Sequence, residues 1–175
     1  MFQQGDLIVY GNTGVCRVEA VGHPKGISGI PEDKLYYTLA PLYSAGLIYA
    51  PLDTPVLMRP VLTREAAEKL IAQIPSIRED DCGSRDPKFL SEHYRGFFES
   101  CSCEDLLQLI KTLYSKTQNS ISNGRKPGQV DQRFMKRAEE LLHGELAVAL
   151  GIPAEEVADY ISSQVGEEGA FSSLS

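Results

Sequence analysis

Three histidines (His23, His93, His143) and four cysteines (Cys16, Cys82, Cys101, Cys103) are the side chains best suited to nucleophilic, acid–base or metal-ligand chemistry. Cys101 and Cys103 stand closest together. A zinc ion would need two further soft ligands near them, and Cys82, His93 and His143 fall at no spacing that zinc sites use. The sequence has no Gly-rich phosphate loop, no His-Glu-x-x-His pattern and no Gly-x-Ser-x-Gly elbow. These residues predict no catalysis, no metal and no cofactor, and four reduced, half-buried thiols.

Recognition chemistry is better represented. The net charge is −7, which taken globally opposes nucleic-acid binding, but the charges are segregated. Residues 1–60 and 61–84 are close to neutral, residues 85–137 carry a net +4, and residues 138–175 carry −8 with no basic side chain. Between Lys111 and Arg137 seven basic residues (Lys111, Lys116, Arg125, Lys126, Arg133, Lys136, Arg137) face Asp131 alone. Such a run is either a solvated helical face or a surface for phosphates.

The elements that would carry these residues are readable from the pattern. At 175 residues, 42% of them hydrophobic, the chain can bury a core without disulfide or metal staples, as one domain or two small ones. Residues 7–10, 15–21, 34–40, 46–50 and 56–59 read as short strands rich in Val, Ile, Leu and Tyr. Gly11, Asn12, Thr13 and Gly14 form a hairpin signal, and the uneven spacing of Val15, Val18 and Val21 predicts a bulge or a strand shared between two faces. So many strands in sixty residues predict a small, bent, partly open barrel.

From Leu62 the period becomes helical. Thr63 caps a first helix that Pro75 stops; residues 77–84 read as a polar linker; Asp86 and Pro87 start a second helix with Leu90, Tyr94, Phe97 and Phe98 on one side. Ser102 and Asp105 open a third, a broken polar loop follows over 118–130, Asp131 caps a fourth that ends at Gly151, and Pro153 begins a fifth. The expected organisation is α+β: a small β-barrel over 1–62, an all-α helical domain over 63–165, and a flexible tail over 166–175. No apolar run is long enough to span a bilayer and residues 1–10 lack the blocks of a signal peptide, so the expectation is a cytoplasmic protein with no membrane contact.

The opening Phe2-Gln3-Gln4-Gly5-Asp6-Leu7-Ile8-Val9-Tyr10, followed by Gly14-Val15 and Val18-Glu19-Ala20-Val21, resembles the first strands of the CarD/CdnL family of bacterial transcription regulators. Tyr94-Arg95, Leu113-Tyr114, Arg137-Ala138-Glu139 and Gly144-Glu145-Leu146-Ala147 follow in the order of that family's helical domain, so the resemblance spans roughly residues 1–165.

The resemblance implies that the barrel is Tudor/SH3-like and adds to an edge strand of the RNA polymerase β subunit, and that the helical domain touches promoter DNA beside the opening bubble. Gly46, Leu47, Ile48, Tyr49 and Ala50 are the candidate docking edge, unless that strand is interior or covered by the carboxy-terminal domain. The family carries a Trp wedge at the start of the second helix, and this sequence has no Trp; Leu90 occupies the matching position with Phe89 beside it, as a wedge or as core. Arg95, Lys111, Lys116, Arg125, Lys126, Arg133, Lys136 and Arg137 are the candidate phosphate contacts, with DNA affinity weak in the absence of polymerase. Two alternatives stay open: a polymerase- or protein-binding module without DNA contact, and a homodimer paired through the barrel edge.

Overall fold

The computed structural model describes residues 1–80 and 83–166, and the chain divides after Val61 into a strand-built and a helical unit. The expected tail, apart from Gly166, and Cys82 lie outside the described residues.

The first unit is one antiparallel sheet of five strands: β1 Leu7–Tyr10, β2 Gly14–Gly22, β3 Tyr36–Pro41, β4 Ile48–Pro51 and β5 Met58–Pro60, in the order β4-β3-β2-β1-β5. β2 is the spine. Its first residues pair with β1, and Cys16 onward pairs with β3. The register slips between Val18 and Ala20, leaving Glu19 as an extra residue, so the irregular valine spacing does mark a bulge. At the β1–β2 connection Gly11 adopts φ +46, and a Cβ there would stand 2.7 Å from Cγ1 of Val56, so this position needs both the conformation and the small size of glycine. Ile8, Cys16, Val18, Tyr37, Leu39 and Ala50 form the core on one face of the sheet. Burial raises the Cys16 thiol to about 11, which keeps it protonated and inert.

The second unit contains α1 Arg64–Gln73, α2 Pro87–Glu99, α3 Cys103–Ser122, α4 Gln129–Leu150 and α5 Val157–Val165. The helix starts follow local chemistry. Thr63 Oγ1 accepts from the Ala66 amide, Ser102 Oγ accepts from the Asp105 amide, and Pro87 occupies the first turn of α2. Leu107, Leu109, Ile110, Leu113, Leu142 and Leu146 form the centre, with Tyr94 from α2 and Ile71 and Ile74 from the α1 end.

Three boundaries differ from the sequence reading. α3 runs on to Ser122, through residues expected as loop, because Asn119, Ser120 and Ser122 are tolerated on a helix whose preceding turns are firmly packed. α4 begins at Gln129 with Gly128 at the N-cap, so Asp131 is inside the first turn and does not cap it. Pro153 precedes a short 3-10 turn, Ala154–Glu156, rather than opening α5 itself.

Candidate functional site

Among the described residues the strand order leaves β4 paired on one side only, with β3. Its register aligns Ile48 with Leu39, Tyr49 with Thr38, Ala50 with Tyr37 and Pro51 with Tyr36, and the Leu52 amide donates to the Leu35 carbonyl at 3.1 Å. Antiparallel pairs alternate between bonded and non-bonded, so Ala50 and Ile48 direct their backbone groups at β3, whereas Tyr49 turns both its N–H and its C=O away from the sheet. Pro51, also turned outward, offers a carbonyl only, which is how a proline is accommodated in an edge strand. Of the five residues expected to form a docking edge, Gly46 and Leu47 precede the strand, Ile48 and Ala50 bond inward, and Tyr49 is the residue whose backbone faces out. Tyr49 is 38% exposed and Leu47 is exposed beside it, so the edge carries apolar side chains as well as peptide groups turned away from the described sheet.

The candidate phosphate contacts fall into two groups. Lys111 donates to the carbonyls of Ile74, Pro75 and Ile77 at 2.9, 3.2 and 2.8 Å, using all three ammonium hydrogens to close the end of α1. Lys116 donates to the Tyr94 hydroxyl at 2.7 Å and pairs with the Asp131 carboxylate at 3.2 Å. Both are partly buried and their ammonium groups are engaged within the helical unit, unlike the exposed basic residues described next. Arg137 pairs with Glu140 at the surface, one turn on along α4. Arg95, Arg125, Lys126, Arg133 and Lys136 are exposed, with Arg133 lying over the Phe134 ring. Four of them lie between the α3–α4 loop and the first turns of α4, so the basic character is concentrated at one end of that helix.

At the start of α2 the two neighbouring apolar residues part company. Leu90 is 7% exposed and belongs to the helical core, on the same stripe as Tyr94 and Phe98, so it does not protrude and cannot act as a wedge. Phe89, about 100° round the helix from it, is 50% exposed. Its ring stacks on His93, one turn later, at a centroid distance of 6.2 Å and an interplanar angle of 6°.

Two polar centres escaped the sequence reading. Asp131 is buried and accepts from the Tyr94 hydroxyl at 2.7 Å while pairing with Lys116, so one carboxylate ties α2, α3 and α4 together. Its being the lone acid among seven bases was the signal available in the sequence. Glu145, also buried, accepts from the Leu62 amide at 3.0 Å and from the Cys103 thiol at 3.1 Å, fixing the entry of the chain into the helical unit. On α4, burial raises the carboxyl of Glu139 to about 7 and lowers the imidazole of His143 from its ordinary value. Among the described residues no three His, Cys, Asp or Glu side chains gather as a metal site, and no helix is long and apolar enough to cross a membrane.

The five-stranded sheet of the first unit has the Tudor-like form of a protein-interaction module. Residues 2–62 match the family model described as the CarD-like/TRCF RID domain, an RNA polymerase-interacting domain family. The match ends at the unit boundary, and no curated protein matches the chain.

Proposed function

We propose that this protein is a non-enzymatic, cytoplasmic bacterial transcription regulator that docks on the RNA polymerase β subunit through β4 and uses its helical unit to contact promoter DNA at the edge of the melted region. The observation that carries the docking step is the outward-facing peptide group of Tyr49: an open strand edge with apolar side chains on it is the form of surface that recruits a partner strand. For the DNA step the support is the exposed basic group Arg125, Lys126, Arg133 and Lys136, together with the half-exposed Phe89 ring, next to Leu90 at the position that matches the family's Trp. So few phosphate contacts bind DNA weakly and with steep salt dependence, and tethering to polymerase supplies the effective concentration.

The experiment is a binding titration of the full chain against polymerase with and without a promoter fragment. Capture by polymerase alone, strengthened by DNA in a salt-dependent way, supports both steps; no capture at micromolar concentration removes the first.

A second reading, docking on polymerase without DNA contact, draws on the internal use of Lys111 and Lys116 and the burial of Leu90. It requires that DNA add nothing to the titration. Self-pairing of β4 into a homodimer would use the same edge and would compete with polymerase for it.

A further inference from the structure

The stretch that reads as a polar linker between α1 and α2 is fastened to α3. Besides the three carbonyls held by Lys111, Ser115 Oγ donates to the Glu79 carboxylate at 2.5 Å, and the Asp80 amide donates to Oγ1 of buried Thr112 at 2.7 Å. The backbone of Asp80 is therefore set by α3, and its carboxylate is delivered to a fixed place. There it meets Nε2 of His93 at 2.5 Å. The imidazole, held at one nitrogen, also meets Phe97 in an edge contact (5.6 Å, 79°) and Tyr94 in a tilted one (6.1 Å, 57°). Phe89 lies parallel to it.

An exposed aromatic ring in the first turn of a helix ordinarily samples several rotamers, because nothing outside the helix selects one. A clamped neighbouring ring one turn later does select one. We infer that Asp80 and His93 form a positioning device for Phe89: the linker, fixed by α3, holds the imidazole, and the imidazole face holds the half-exposed phenyl ring in a single outward pose. This rests on the reading of Phe89 as the DNA-facing group. Its physical content is that a wedge pre-set in one pose does not lose rotamer freedom on insertion between bases, so loss of the clamp weakens insertion by about twofold to tenfold while leaving docking on polymerase unchanged.

Two measurements on the full chain separate this from the function it serves. In the first, Phe89 is replaced by 4-fluorophenylalanine and its fluorine resonance is followed in the free protein. His93→Ala and Asp80→Ala move the resonance toward that of a rotamer-averaged ring, whereas Asp80→Asn, whose amide oxygen still accepts from Nε2–H, returns it close to wild type. A resonance indifferent to His93→Ala, or Asp80→Asn behaving like Asp80→Ala, overturns the positioning. In the second, polymerase and a promoter carrying 2-aminopurine at the melted edge report base unstacking for Phe89→Ala, His93→Ala and the double variant, with thermal midpoints checked for each. The expected pattern is loss of signal in both single variants and no further loss in the double. Additive losses mean that His93 acts through stability and not through Phe89, which also overturns the inference. Fluorine shifts as expected with an unaltered Phe89→Ala promoter signal support the clamp and reject the DNA role of the ring.

Discussion

Replacing Tyr49 by proline removes one outward N–H from β4 and places a ring in the path of any added strand. Because Tyr49 sits at a non-bonded position opposite Thr38, the β3–β4 ladder loses nothing. The partner strand loses one hydrogen bond, about 0.5–1.5 kcal/mol net, and is left with a carbonyl unsatisfied, about 1–3 kcal/mol more. The two together come to roughly 2–4 kcal/mol, which at about 1.4 kcal/mol per decade is a weakening of roughly 30-fold to 1,000-fold. The assay is calorimetric titration of polymerase, with thermal unfolding of the variant beside it. Ala50→Pro is the contrasting variant: Ala50 bonds toward Tyr37 and is fully buried, so that change should unfold the sheet. A folded Tyr49→Pro protein that binds polymerase as tightly as wild type would refute edge pairing at β4.

The other expectations follow from the same geometry. Phe89→Ala should abolish most of the 2-aminopurine unstacking signal at unchanged polymerase affinity, since the ring is exposed and carries none of the core. Charge reversal at Arg125 and Lys126 should reduce the salt dependence of DNA-enhanced polymerase binding without lowering the melting temperature, while Lys111→Gln should do the opposite, destabilising the helical unit and sparing the salt slope. Asp131→Ala removes the carboxylate that the Tyr94 hydroxyl and Lys116 share and should cost about 2–4 kcal/mol in denaturant unfolding. Glu139 has a folded-state value raised to about 7 by burial, so its contribution to stability is full below the ordinary carboxylate range and is lost as pH rises through 7. Glu139→Gln should therefore raise the free energy of unfolding at pH 8, by at most about 1 kcal/mol once solvent screening of this half-exposed group is allowed for, and change it little at pH 4.

Local rules carried much of the fold. Period-two and period-3.6 patterns, Thr63, Ser102, Pro87 and the valine irregularity at the Glu19 bulge each placed an element through chemistry confined to a few residues. The end of α3 was not legible, because Asn119 and Ser120 signal a loop by propensity while packing of the preceding turns overrides it. The edge position of β4 in the described sheet was legible, whereas which basic side chains are engaged within the helical unit depends on which helices meet and was not. Lys111 and Lys116 have the same composition signal as Lys126, and only the approach of the α1 end, Tyr94 and Asp131 turns the first two inward. Leu90 and Phe89 differ by one position, and helical phase, not residue type, decides which of them is buried.

The most direct test is amide hydrogen exchange at Tyr49 and Ala50, measured free and at saturating polymerase. Strand addition predicts that Ala50, already bonded to β3, is protected in both states, while Tyr49 exchanges readily in the free protein and slows by at least about tenfold in the complex. A Tyr49 amide that exchanges equally fast in the saturated complex would contradict docking through this edge.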